Sequence, residues 1–101
     1  MLVAFSLAPA VTDADGGVAE AVAEVVRVVR ASGLPHETNA MFTNVEGEWD
    51  EVMDLIKSCV LELSKAAPRV SLVIKVDHRP GAVGALQAKV DAVEARLAAG
   101  G

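Results

Sequence analysis

The order of periodicities along this 101-residue chain predicts an α+β fold of the ferredoxin-like type: a βαββαβ antiparallel sheet with two helices on one face, extended by a C-terminal helix. Three observations carry that prediction. Two apolar stripes at helical spacing, one from Val18 and one from Trp49, are separated and flanked by short runs of β-type residues. The segment RVSLVIKVD at 69–77 alternates with a period of two. Between the helices, HETNAMFTNVE at 36–46 carries no helical stripe but is long enough for two short strands.

Leu2 to Ala8 is too short for a helix and reads as a strand that turns at Pro9 into a loop rich in Pro, Asp and Gly. From Gly17, Val18, Val22, Val25 and Val29 recur on one side of a helix, with Glu20, Glu24 and Arg27 opposite. Ser32-Gly33 ends it, Gly33 supplying a left-handed cap and Pro35 preventing resumption. The 36–46 segment follows as a hairpin or kinked strand pair, broken by Gly47. Glu48 to Ala67 is the strongest helix, with Trp49, Val52, Met53, Ile56, Cys59, Val60 and Leu63 on its stripe and acidic residues in its first turn, where the helix dipole favours them. After Pro68, the last strand sets Val70, Leu72, Ile74 and Val76 on the core face and Ser71, Val73, Lys75 and Asp77 on the other. A helix at about 83–98 carries a narrow seam of Val83, Leu86, Val90, Val93 and Leu97. The second sheet face joins Ala4, Ser6 and Ala8 to Ser71, Val73 and Lys75; it is too apolar for water and too polar for a core, so pairing with another subunit is expected.

Length implies one domain spanning 1–101. A net charge of −5 without clustered cations or stacking aromatics excludes a nucleic-acid partner. A single cysteine, Cys59, allows no intrachain disulfide and suits a reducing cytoplasm. The apolar start lacks the basic region of a signal peptide, and no run reaches the roughly 18 residues of a membrane span. His36 and His78 have no ligand-spaced neighbours, so no metal is expected. The DADGG loop lacks the distal glutamate of a calcium site. No serine sits in a nucleophile elbow, and Asp77, His78 and Arg79 point to alternate faces. These residues predict binding rather than catalysis.

The informative stretch is TNAMFTNVEGEWDEVM at 38–53. From Gly47 onward a helix start explains it. Upstream, Asn39, Met41 and Thr43 do not belong to a cap; with the carboxylate of Glu46, an amide and a hydroxyl make the equipment for reading a flat heterocycle with an amino group beside a ring nitrogen.

SLAP at 6–9, VAEAVAEVVRVVRASGLP at 18–35, NAMFTNVEGEWDEVM at 39–53 and RVSLVIKVDHRPG at 69–81 together resemble the thiamine-binding protein family of small ferredoxin-like proteins. The run from Met41 to Trp49 is the most specific piece. The resemblance implies non-catalytic binding of thiamine or its hydroxymethylpyrimidine moiety, with no other cofactor, by a homodimer or dimer of dimers joined through sheet faces. It carries ligand contacts onto Ser6, Asn39, Met41, Thr43 and Glu46, with Lys75 and Asp77 as further candidates. Ala40 and Phe42 depart from the family's usual Pro and Gly around the methionine, and Gly17 replaces a common Ser. The competing expectations are an oligomerisation domain without a ligand, and a small enzyme using Asp77 and Arg79.

Overall fold

In the computed structural model, residues 1–10, 17–80 and 84–100 are described, so Asp13 to Gly16 of the DADGG loop and Val83 lie outside the description. The chain is a mixed α+β structure with a four-stranded antiparallel sheet and three helices, consistent with a ferredoxin-like fold. The elements are β1 (Leu2–Ala10), α1 (Gly17–Ala31), β2 (His36–Thr38), β3 (Thr43–Glu46), α2 (Trp49–Ser64), β4 (Arg69–Asp77) and α3 (Ala85–Ala99). The strand order is β2-β3-β1-β4.

Register decides which residues meet the helices. Val3 pairs with Val45 and Val76, and Phe5 with Thr43 and Ile74, so these share one face. On that face Val3, Phe5 and Val45 pack with Val25 and Val29 of α1 and with Val52, Leu55, Ile56, Cys59 and Leu63 of α2. The opposite face pairs Ala4 with Lys75, Ser6 with Val73 and Ala8 with Ser71. That composition is the one read from the alternation.

Three local expectations change. β1 does not turn at Pro9 but runs to Ala10, because beyond Phe5 it pairs with β4 alone and a proline is tolerated where a strand has one neighbour. Trp49 does not join the core: half exposed on the first turn of α2, it meets His78 edge-on with ring centroids 6.0 Å apart. Leu72 and Ile74 lie on the helix side as read, yet remain 41% and 37% exposed because β4 is an edge strand that the helices only partly cover.

α2 begins at Trp49, where the Glu48 backbone N–H donates to the Glu51 carboxylate at 3.1 Å, one arm of a capping box. Gly47 is needed just before it. A Cβ there would stand 3.1 Å from Val52 and 3.3 Å from Leu34, inside a packed junction where Val52 is fully buried. Gly33 closes α1 at φ 75°, as its sequence position implies.

Candidate functional site

β3 pairs with β1 only as far as Phe5, whereas β4 follows β1 to Ala10. From Ser6 onward, one side of β1 therefore has no paired strand among the described residues. The space beside it is a cavity of about 230 Å³, walled by Phe5, Ser6 and Leu7, by Val22, Val25 and Val26 of α1, by Leu63, and by residues 38–43 of the β2–β3 hairpin. Its walls are mainly apolar with a few hydroxyl, amide and backbone groups, the usual make-up of a small-molecule site.

The hairpin loop is held by its own side chain. Asn39 Oδ1 accepts from the backbone N–H groups of Met41 and Phe42 at 2.8 Å each, while the Asn39 N–H donates to the Phe42 carbonyl at 2.9 Å. This Asx-type turn fixes where Met41 and Phe42 stand. Thr38 and Thr43, paired across the hairpin, bring their hydroxyl oxygens within 3.4 Å. Met41 is largely exposed at the rim and Phe42 half-buried.

Of the seven residues read as candidates, Ser6, Asn39, Met41 and Thr43 line this cavity together. Glu46, Lys75 and Asp77 do not. Register places Glu46 and Asp77 on either side of Leu2, and Lys75 beside Ala4, on the face away from α1 and α2. There α3 covers Glu46 and Asp77 in part: Glu46 is buried and accepts from the Leu86 N–H at 3.3 Å, and Asp77 is bound by Lys89 Nζ at 2.5 Å, while Lys75 is exposed. Glu46 and Asp77 thereby help to seat α3. The apolar contributors Val22, Val25 and Leu63 escaped the sequence reading as cavity walls, since a stripe residue at a cavity wall has the same spacing as one in a core. Phe42, a departure from the family's pattern read as reshaping the pocket, is among the lining residues.

The hydrogen bond and charge of Lys89 hold the Asp77 carboxyl below its ordinary pKa, with Arg79 and Lys75 adding smaller effects. A depressed folded pKa gives stabilisation that is present above the unfolded value and disappears as pH falls through the folded one. We expect an NMR titration of Asp77 to show its midpoint below the ordinary carboxylate range, and Lys89→Met to move it back up. An unchanged midpoint in Lys89→Met would refute the assignment. Cys59 is buried, and that burial pushes its thiol up to about 11, in keeping with inert packing. Among the described residues no three of His, Cys, Asp and Glu gather as metal ligands, and no helix is long and apolar enough to cross a membrane.

Comparison with known proteins bears on the family and the fold. Over 98 residues the chain is 51% identical to a UPF0045 protein of Mycobacterium bovis, covering 96% of this chain and 94% of that one. A UPF0045 protein of Synechocystis is 33% identical over 79% of this chain and 67% of its own. Among solved structures, a Bacillus cereus domain of unknown function superposes with TM-score 0.79 at 32% identity, over 88% of this chain and 85% of that one. A Thermotoga maritima protein, named as a candidate for thiamine biosynthesis or salvage, superposes with TM-score 0.75 at 27% identity, over 89% and 95%. The thiamine-binding protein family pattern matches residues 3–94, and with nearly the whole chain covered in this way, the chain belongs to that family.

Proposed function

We propose that this protein binds thiamine, or its hydroxymethylpyrimidine moiety, without catalysis, as a cytoplasmic carrier or sensor in which residues 1–101 form a single domain. The observation that carries the reading is the cavity beside β1, lined by Ser6, Asn39, Met41 and Thr43 in a chain of the thiamine-binding family. Its volume of about 230 Å³ is below the roughly 300–1,000 Å³ of pockets that enclose drug-sized ligands, which suits one aromatic ring better than two. The pyrimidine would enter, with the rest of thiamine directed outward past Met41.

Within that reading, the Asn39 amide NH₂ donates to the ring nitrogen and the Thr43 hydroxyl oxygen accepts from the amino group, since the Asn39 oxygen is already engaged by the turn. β1 contributes the backbone polar groups of Ser6 and Leu7 that β3 does not reach. Glu46, Lys75 and Asp77 act on the far face. Exposed Val73 and Lys75 on that face fit a second subunit stacked there in a dimer or dimer of dimers.

Isothermal titration with thiamine and with hydroxymethylpyrimidine tests the reading. The expected Kd is micromolar or tighter, about −8 kcal/mol. Thr43→Val keeps the shape and removes the hydroxyl, and should weaken both ligands about fivefold or more, the loss of roughly one hydrogen bond. Absence of heat with either ligand at high protein concentration would favour the oligomerisation domain without a ligand.

A further inference from the structure

The start of β1 fixes which of its backbone groups face β3. Met1 and Gly47 exchange two hydrogen bonds: the Met1 nitrogen donates to the Gly47 carbonyl at 2.9 Å, and the Gly47 N–H to the Met1 carbonyl at 3.0 Å. In an antiparallel ladder every second residue repeats such an exchange. Val3 with Val45 and Phe5 with Thr43 continue the series, and the next residue of β1 turned to that side is Leu7. β3 begins at Thr43, so no strand among the described residues pairs with the Leu7 N–H and C=O, and Leu7 lines the cavity. The position after it in the series is Pro9, which offers a carbonyl alone. Between Phe5 and Pro9, this edge therefore presents one complete donor–acceptor pair.

A pair on a single residue has a definite complement. In extended backbone the N–H and C=O of one residue point the same way, their heavy atoms about 3 Å apart. What fits them is a flat edge with an acceptor directly beside a donor, the pattern of a ring nitrogen next to an amino group. We infer that Leu7 reads this edge of an aminopyrimidine: its N–H donates to the ring nitrogen and its carbonyl accepts from the amino group, so that the site selects aminopyrimidines over oxopyrimidines. This selection rests on the pyrimidine reading proposed above and leaves its side-chain contacts in place. The ring has a second nitrogen for the Asn39 NH₂, and the amino group a second hydrogen for the Thr43 oxygen.

Selection falls on the backbone because the side chains can adapt. An oxopyrimidine in its keto form carries N–H where the amino compound has an acceptor, and an oxygen where it has a donor. The Thr43 hydroxyl turns to donate instead of accept, and the nitrogen that meets Asn39 remains an acceptor. The Leu7 pair cannot invert. N–H would face N–H and oxygen would face oxygen at a mainly apolar wall, where unmade hydrogen bonds are costly.

Calorimetric titration of the full chain with hydroxymethylpyrimidine, and with the analogue in which oxygen replaces its amino group, reads the selection. The amino compound should bind about fiftyfold or more tightly than the oxo analogue. Thr43→Val and Leu7→Ala each weaken both compounds and keep that ratio, because both retain the Leu7 N–H. Leu7→Pro removes that N–H without removing a bond to β4, as the natural Pro9 does one step further along. It should cut the ratio at least about tenfold, by weakening the amino compound and relieving the clash with the oxo one. Melts of Leu7→Ala and Leu7→Pro separate loss of the N–H from loss of the leucine side chain. A wild-type ratio below about fivefold, or a ratio unchanged in Leu7→Pro, would overturn the selection while leaving the ligand reading intact. So would a Leu7→Pro chain that fails to fold where Leu7→Ala folds, since the N–H would then belong to the sheet. Absence of heat with both compounds overturns the ligand reading and the selection together.

Discussion

Phe5→Ala is expected to cost about 3–5 kcal/mol of folding stability, the usual loss for a fully buried aromatic. Phe5 is 1% exposed and stands mid-strand on β1, between Thr43 of β3 and Ile74 of β4, facing the helices. Its ring fills the layer between sheet and helices in a core that is otherwise aliphatic. A chain of this size has about 5–15 kcal/mol in total, so one truncation removes a large share. Thermal melts should fall by roughly 4–8 °C for each kcal/mol lost. Because Phe5 also walls the cavity, the void left behind would open into the site, and ligand should rescue little of the loss. Trp49→Ala, at a half-exposed position, provides the contrast: a larger residue removed at smaller cost. A Phe5→Ala protein that melts within a degree or two of wild type would contradict this account of the core.

The second large effect is expected on binding alone. Val22 lines the cavity from α1 while remaining 44% exposed, so it can be enlarged without forcing the core apart. Val22→Trp should fill much of the 230 Å³ and lower affinity for thiamine and hydroxymethylpyrimidine at least tenfold, about 1.4 kcal/mol. Its melting temperature should stay close to wild type, as is usual for surface substitutions. Calorimetric titration and a melt on the same sample read both quantities. Undiminished affinity would move the ligand away from this cavity and toward the opposite face with Glu46, Lys75 and Asp77.

Much of this architecture was legible from the order of residues. The alternation in RVSLVIKVD assigned both faces of β4 before any register was available, and Gly33 and Pro35 marked the end of α1 by their backbone restrictions alone. What periodicity could not supply was neighbourhood. Nothing in a period of two says that β4 is an edge strand, which is why Leu72 and Ile74 read as core and are only partly covered. The stripe of α2 likewise includes Trp49 by phase, although the first turn of the helix leaves that side chain half exposed. The candidate site divides for a similar reason. Thr43 and Glu46 are three residues apart on one short strand, and an odd spacing puts them on opposite faces; only the pairing of Thr43 with Phe5 and of Glu46 with Leu2 says which face is which. Asn39 was legible as a polar residue of interest, but its work in holding the turn depends on the backbone of Met41 and Phe42, which sequence spacing does not fix.

Pro9 lies on the stretch of β1 that β3 has left, opposite Val70 of β4. A proline has no amide hydrogen to offer, so an incoming peptide that tried to lengthen the ladder there would meet a missing rung. The opening beside β1 is thereby a poor seat for an extended polypeptide while staying accessible to a compact solute. One residue without an N–H thus makes the gap beside β1 a poor template for a further strand.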